Sequence, residues 1–494
     1  MSPTSVSRRS LLTTAGAGVA AAAVGASVAA PARAADGGSS SDLPVVTVDV
    51  AIIGAGLTGL SAARKLKDAG RSVHVIEADE RVGGRVWTVK ANDGATPLNW
   101  GATFVGPSQT KVLALAQELG VSTYRTWNTG QNVQYFNGGV RKYKGTIPAL
   151  DVVTLLELQS IMSRLNGYAS SIDPAKPWAA PRAERWDSLT FHSWIRENVN
   201  SVGAQKLLDL ACLSLFSVES RDVSFLHMLF YIRSAGDLNA LLNTGGGAQE
   251  RQLTGGSQRL PEGLAAKLGD GNVTLGSPVR KVVTEGNMTT VISEQVMVQA
   301  KRVLVAVPPP MVPRIVFEPG LSALKDQHLQ RLPMGSVGKA IAIYDTPFWR
   351  ARGLTGQATS DRGPVKITFD LSPASGTRGV IMGFIDGQDA RDWWPLSAAE
   401  RRAQVLDQFG KWFGNEARSP KEFHDLSWDA LPLHRGCPVA VPGPGATIGF
   451  KDAFSRTEGP LHFASTESAV KWAGYMDGAI RAGEASAAEI HGAL

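Results

Sequence analysis

The chain has 494 residues, room for two to three domains at about 150 residues each. Its 43% hydrophobic and 19% charged residues exclude wholesale disorder, and two cysteines are too few for a disulfide framework or a four-thiolate zinc site. The formal charge is +6, of which Arg8, Arg9 and Arg33 supply three in an acid-free stretch, and the rest is too dilute for nucleic-acid binding.

Residues 1–34 run from the basic pair in Ser7-Arg8-Arg9-Ser10-Leu11-Leu12 through an Ala/Gly/Val stretch to Ala32-Arg33-Ala34. This is the layout of an export signal, and a twin arginine before two leucines is similar to a Tat signal, which passes folded proteins. The expectation is a secreted, periplasmic or extracellular protein without a stable membrane anchor. Alanine and glycine contribute little transfer energy, and a cleavage site follows. Residues 35–42 read as a flexible linker.

The β-branched run VVTVDVAII over 45–53 predicts a buried parallel strand. Gly54-Ala55-Gly56-Leu57-Thr58-Gly59 follows it, then helical apolar spacing over 60–69 and a second strand over 72–76 that ends in Glu77. Gly54 suits a tight turn, Gly56 a close approach to a pyrophosphate, and Gly59 close packing of helix on sheet. The helix N-terminus offers free N–H groups to phosphate, and Glu77 is placed for ribose hydroxyls. Further strands are predicted over 273–283 and 302–307, and helices over 199–243, 397–415 and 479–493.

This pattern alone does not separate NAD from FAD. Arg81-Val82-Gly83-Gly84-Arg85 comes directly after the acid and resembles the FAD-dependent amine oxidases. NWGATFVGPSQTKVLALAQELGVSTY, GGGAQERQLTGGSQRLPEGLAAKLG, RVLVAVPPP, LPMGSVGKAIAIYDTPFWR, SWDALPLHRGC and FASTESAVKWAGYMDGAIRAGEASAAEI follow in order. They resemble blocks of the flavin-containing monoamine oxidases over essentially the whole mature chain. The resemblance implies an α/β protein, with a Rossmann-like FAD-binding domain over 43–121, 253–328 and 431–494. A discontinuous α+β substrate domain would take 122–252 and 329–430.

The resemblance also implies site residues. FAD would be held by Gly54, Gly56, Gly59, Glu77, Arg81, Gly84, Arg85, Val279, Trp428, Glu467 and Met476. Lys339 would hold a water against the flavin and help oxygen react. Cys437, in a Gly-Cys pair spaced from Trp428 as in that family, would bond the flavin covalently. An inert buried thiol and a Cys212–Cys437 disulfide are the other readings of this cysteine. Tyr475 would form one wall of an aromatic cage; the position of the other wall is Pro438, a departure that leaves Trp472 or Trp428 to supply a face. Ser465 stands where the family's G-T-E block has glycine. Phe104, Leu215, Leu242, Gln249, Ile367 and Phe384 would line the substrate cavity.

The expected reaction is oxidation of a primary or secondary monoamine to an imine and aldehyde, with oxygen reduced to hydrogen peroxide. No arginine follows Gly101-Ala102 to pair with an amino-acid carboxylate, and apolar Ile367 offers a diamine no acidic anchor. Partners would be the amine and oxygen, with no nucleic acid; a homodimer is an open expectation. The competing readings are an amine dehydrogenase with another electron acceptor, a polyamine or amino-acid oxidase, a related desaturase, and a flavin-bearing amine sensor.

Overall fold

The structure is a computed structural model that describes residues 43–494; the export signal read over 1–34 and the linker over 35–42 lie outside the described residues. Leu43–Leu494 form one compact unit. An eight-stranded sheet draws its strands from three separate stretches of chain. Its order is Val273–Thr274, Val73–Ile76, Val45–Ile53, Met297–Val305, Met288–Ser293, Val279–Glu285 and Val316–Glu318, with Leu461–Phe463 also paired to Met297–Val305. Val45–Ile53 pairs in parallel with Val73–Ile76 on one side and Met297–Val305 on the other. Its last four residues are buried, whereas its first half alternates between exposed and partly covered. The β-branched run is therefore a core strand only where it approaches the glycine turn.

Two expected elements divide. The strand over 273–283 is two strands at different places in the sheet, because Gly276 at φ +60° and Pro278 interrupt it. The helical stretch over 199–243 is three helices, Val202–Phe216, Phe225–Ala235 and Leu238–Leu242. Ser217 ends the first in the left-handed region, the Ser224 side chain caps the second, and Gly236 and Asp237 separate the second from the third. The C-terminal helix, Met476–Gly492, starts earlier than its apolar periodicity suggests. It lies against Leu57–Asp68 so closely that a side chain at Gly483 would overlap the Thr58 carbonyl.

A second, seven-stranded sheet runs Glu422–Ser427, Val337–Tyr344, Gly379–Asp386, Val365–Asp370, Leu354–Ser360, Gln131–Phe136 and Gly139–Tyr143. Val337–Tyr344 is buried at every position. Directly opposed residues share a face of a sheet. Val337 opposes Asp386, Lys339 opposes Phe384, and Phe384 opposes Ile367, so these side chains share one face. No helix among the described residues is long and apolar enough to cross a membrane.

Candidate active site

A cavity of about 510 Å³ runs from the glycine turn of the first sheet to the face of the second that carries Lys339. Gly54, Gly56, Glu77, Gly84, Arg85, Val279, Trp428, Cys437, Pro438, Tyr475 and Met476 line it, together with Phe104, Leu215, Gln249, Lys339 and Phe384. At its first end, Gly54 adopts φ +106° and packs against the Ala306 carbonyl. A side chain at Gly59 would overlap the Gly54 carbonyl, so this glycine sets the contact of helix with sheet. Gly56 faces open space, with no atom within 4 Å of where its Cβ would stand. The Glu77 carboxylate accepts from Ala55 N at 2.6 Å and Asp79 N at 2.9 Å. Burial pushes its pKa up, although those amides oppose the shift.

The two arginines after the acid do different work. Arg81 does not line the cavity; it donates to the carbonyls of Gly84 at 2.9 Å and Val86 at 3.1 Å, bracing its own loop. Arg85 does line it, forked onto buried Glu467 at 2.6 and 3.0 Å and donating to Pro438 O at 2.8 Å. Glu467 also accepts from Ala440 N at 3.1 Å and from the Ser465 hydroxyl at 2.6 Å. Ser465, in place of a glycine, thus adds a donor to this buried pair.

At the far end, the Lys339 ammonium is held by Gly101 O at 2.6 Å, Asn99 O at 3.1 Å and Thr103 Oγ1 at 3.2 Å. It lies 5.0 Å from the Phe384 ring centre. Burial lowers its pKa to about 8, with Cys437 and Asp386 opposing. Trp428 is fully buried, donates its indole N–H to Trp100 O at 3.0 Å, and meets His434 edge-on at 5.0 Å. Cys437 and Cys212 are free thiols in different cores, which removes the disulfide reading. Burial pushes the Cys437 thiol up to about 11, against the pull of Arg85 and Lys339.

Neither tryptophan completes the cage in the expected way. Trp472 packs edge-on to Tyr475 at 4.9 Å but does not line the cavity, and Trp428 belongs to the wall around Cys437. The aromatic ring beside Tyr475 that does line it is Tyr231, at 6.0 Å with a 34° tilt. Tyr231 sits in the apolar helix run FLHMLFYIR, where its periodicity marks it only as core. His434, another lining residue, is likewise found only through the fold.

A second cavity of about 340 Å³ adjoins the first. Phe104, Leu215, Gln249 and Phe384 line both, whereas Leu242 and Ile367 line only the second. The expected residues therefore divide between a glycine-lined cavity for a dinucleotide and an adjoining chamber, both largely apolar. Gly59, Arg81 and Glu467 line neither and act through neighbours.

Residues 57–491 match the profile of the flavin containing amine oxidoreductases. A Mycobacterium tuberculosis protein that bears the name flavin-containing monoamine oxidase is 39% identical over 447 residues, 90% of this chain and 97% of its own length. A putrescine oxidase structure with bound putrescine is similar at a TM-score of 0.87 and 31% identity, covering 91% of this chain and 100% of that one. The cyclohexylamine oxidase of Brevibacterium oxydans is similar at a TM-score of 0.87 and 31% identity, covering 90% and 99%.

Proposed function

The chain belongs to the flavin containing amine oxidoreductase family and is an FAD-dependent enzyme that oxidises small amines; we propose that its substrate is a primary or secondary monoamine and its electron acceptor oxygen. The observation that carries the reading is the junction of the two cavities. There Phe104, Leu215, Gln249 and Phe384 line both cavities, and a buried lysine, two neighbouring tyrosines and a buried cysteine line the first.

The residues present fit FAD. The cradle at Gly56 is one a side chain would fill, Glu77 stands at its rim, and two helices, Leu57–Asp68 and Met476–Gly492, begin at the same cavity. Bound there, FAD supplies the two-electron acceptor for an amine C–H bond, with oxygen as the oxidant that returns it to service and hydrogen peroxide as product.

The chain's own groups bind, orient and desolvate. Tyr231 and Tyr475 offer tilted aromatic faces to the amine nitrogen, in place of the cage that Pro438 leaves incomplete. Leu215, Ile367 and Phe384 exclude water around an uncharged tail. Lys339 has three N–H donors, all engaged; holding a water toward the flavin requires release of its longest bond, to Thr103. Cys437 is the proposed point of covalent attachment. We read no general base: the amine enters neutral, so kcat/KM rises with pH towards the amine's pKa. Peroxide release with phenethylamine between pH 6 and 9 tests this. A rising profile supports the reading, and a flat one contradicts it.

Export through the twin-arginine signal is the proposed localisation. Cell fractionation of the Arg8→Lys, Arg9→Lys double variant should show precursor retained inside the cell; unchanged export contradicts the assignment.

A further inference from the structure

The second cavity is lined by apolar and neutral polar side chains, with Asp386 the one ionisable carboxylate among them, placed where burial makes a charge expensive. Asp386 ends the strand Gly379–Asp386, is 2% exposed and lines this chamber. It is two residues beyond Phe384 and opposes Val337, so its side chain shares the sheet face that carries Lys339 and Ile367.

Its surroundings do not account for it. Among the described residues the only donor to its carboxylate is the Ser217 hydroxyl, 2.7 Å from Oδ1. Among the described residues none donates to the second oxygen, Oδ2, which is not sealed off from the chamber. The lysines that feel its charge are engaged elsewhere: Lys366 pairs with Asp389 at 3.0 Å, and Lys339 is bound by Asn99, Gly101 and Thr103. A buried carboxylate with an unmet oxygen, on the wall of a chamber, is a site for a donor that the chain does not itself supply. Ser217 lines the flavin-side cavity, whereas Asp386 lines only the substrate-side one.

We propose that Asp386 is a specificity-determining residue that receives an N–H or O–H donor at the non-reacting end of the substrate. The favoured amine then carries an apolar spacer and a second polar end, an ammonium or a hydroxyl. This rests on the FAD-dependent amine-oxidising site given above and revises the uncharged tail assigned there. It also revises the inference that apolar Ile367 leaves a second polar group without an anchor: the anchor is on the neighbouring strand.

Burial pushes the Asp386 carboxyl up to about 7; the Ser217 hydrogen bond, Lys339 and Lys366 act against this and Asp389 with it. An ammonium end is therefore favoured more at pH 8 than at pH 6, whereas a hydroxyl end, which also bonds a neutral carboxyl, varies less.

The test compares pentylamine, 5-amino-1-pentanol and 1,5-diaminopentane as substrates of the holoenzyme at pH 6 and 8, in wild type, Asp386→Asn and Asp386→Leu. Ratios of kcat/KM to pentylamine cancel any loss common to all three. Wild type should favour at least one bifunctional amine by about tenfold or more, through KM rather than kcat. Asp386→Leu should bring both ratios to about one or below. Asp386→Asn, which preserves shape and an acceptor oxygen, should abolish a diamine preference yet retain part of an amino-alcohol preference. The inference is overturned if wild type favours pentylamine over both, or if the ratios survive both substitutions. Failure of wild type to oxidise pentylamine at all would instead overturn the monoamine reading.

Discussion

Replacement of Glu467 by glutamine removes one charge from the buried Arg85–Glu467 pair while nearly preserving its shape. The side chains are 17% and 8% exposed, and the carboxylate accepts four hydrogen bonds: two from Arg85, one from Ala440 N and one from Ser465. Glu467→Gln leaves the Arg85 guanidinium buried without a counter-charge, and breaking a buried pair in this way costs about 3–5 kcal/mol. Burial alone would raise the Glu467 carboxyl; the Arg85 guanidinium and the Ser465 and Ala440 donors outweigh it and hold the pKa below the ordinary 4.5. A carboxylate depressed on folding contributes stability above its unfolded pKa, and this stability fades as pH falls through the folded value. Urea unfolding followed by tryptophan fluorescence should place the variant about 3–5 kcal/mol below wild type at pH 7, with the gap closing below pH 4.5. The cycle with Arg85→Met should return a coupling of about 0.5–3 kcal/mol. A loss under about 1 kcal/mol, or a gap independent of pH, would refute the reasoning.

Four further outcomes follow from the site. Gly56→Ala should fold as wild type by circular dichroism yet bind FAD about tenfold more weakly, since its side chain meets no protein atom and fills the cradle. Gly59→Ala, which drives a methyl into the Gly54 carbonyl, should cost about 1–3 kcal/mol in urea unfolding. Cys437→Ala should release all flavin on acid precipitation, whereas wild type retains its yellow colour; release from both would leave the thiol a packing residue. The Lys339 depression from 10.5 to about 8 corresponds to about 3.4 kcal/mol at 1.36 per unit. The unfolded chain binds this proton more tightly, so stability rises as pH climbs from 8 to 10.5, and Lys339→Met should lose that rise.

The dinucleotide turn was readable because its chemistry is local: strand, glycines, helix and Glu77 are contiguous, Gly54 and Gly59 are required by backbone contact, and Gly56 leaves the cradle open. Lys339 was readable through its neighbours in the chain, but its partners, the carbonyls of Asn99 and Gly101, leave no side-chain signature. Arg81 and Arg85 look alike in the R-x-G-G-R run and only the fold separates them, since Arg85 meets Glu467 from the far end of the chain. Tyr231 was hidden because an aromatic at helical spacing satisfies a core as well as a cage. Asp386 was hidden because its face is set by register with Val337–Tyr344, which the pattern of one strand does not reveal.

The central claim, that an amine in the apolar chamber reduces a flavin held beside Lys339, Tyr231 and Tyr475, is tested most directly by anaerobic titration of the holoprotein with phenethylamine. The account predicts stoichiometric bleaching of the flavin absorbance, followed by release of hydrogen peroxide when air is admitted. A fully loaded flavin that no amine bleaches would contradict it.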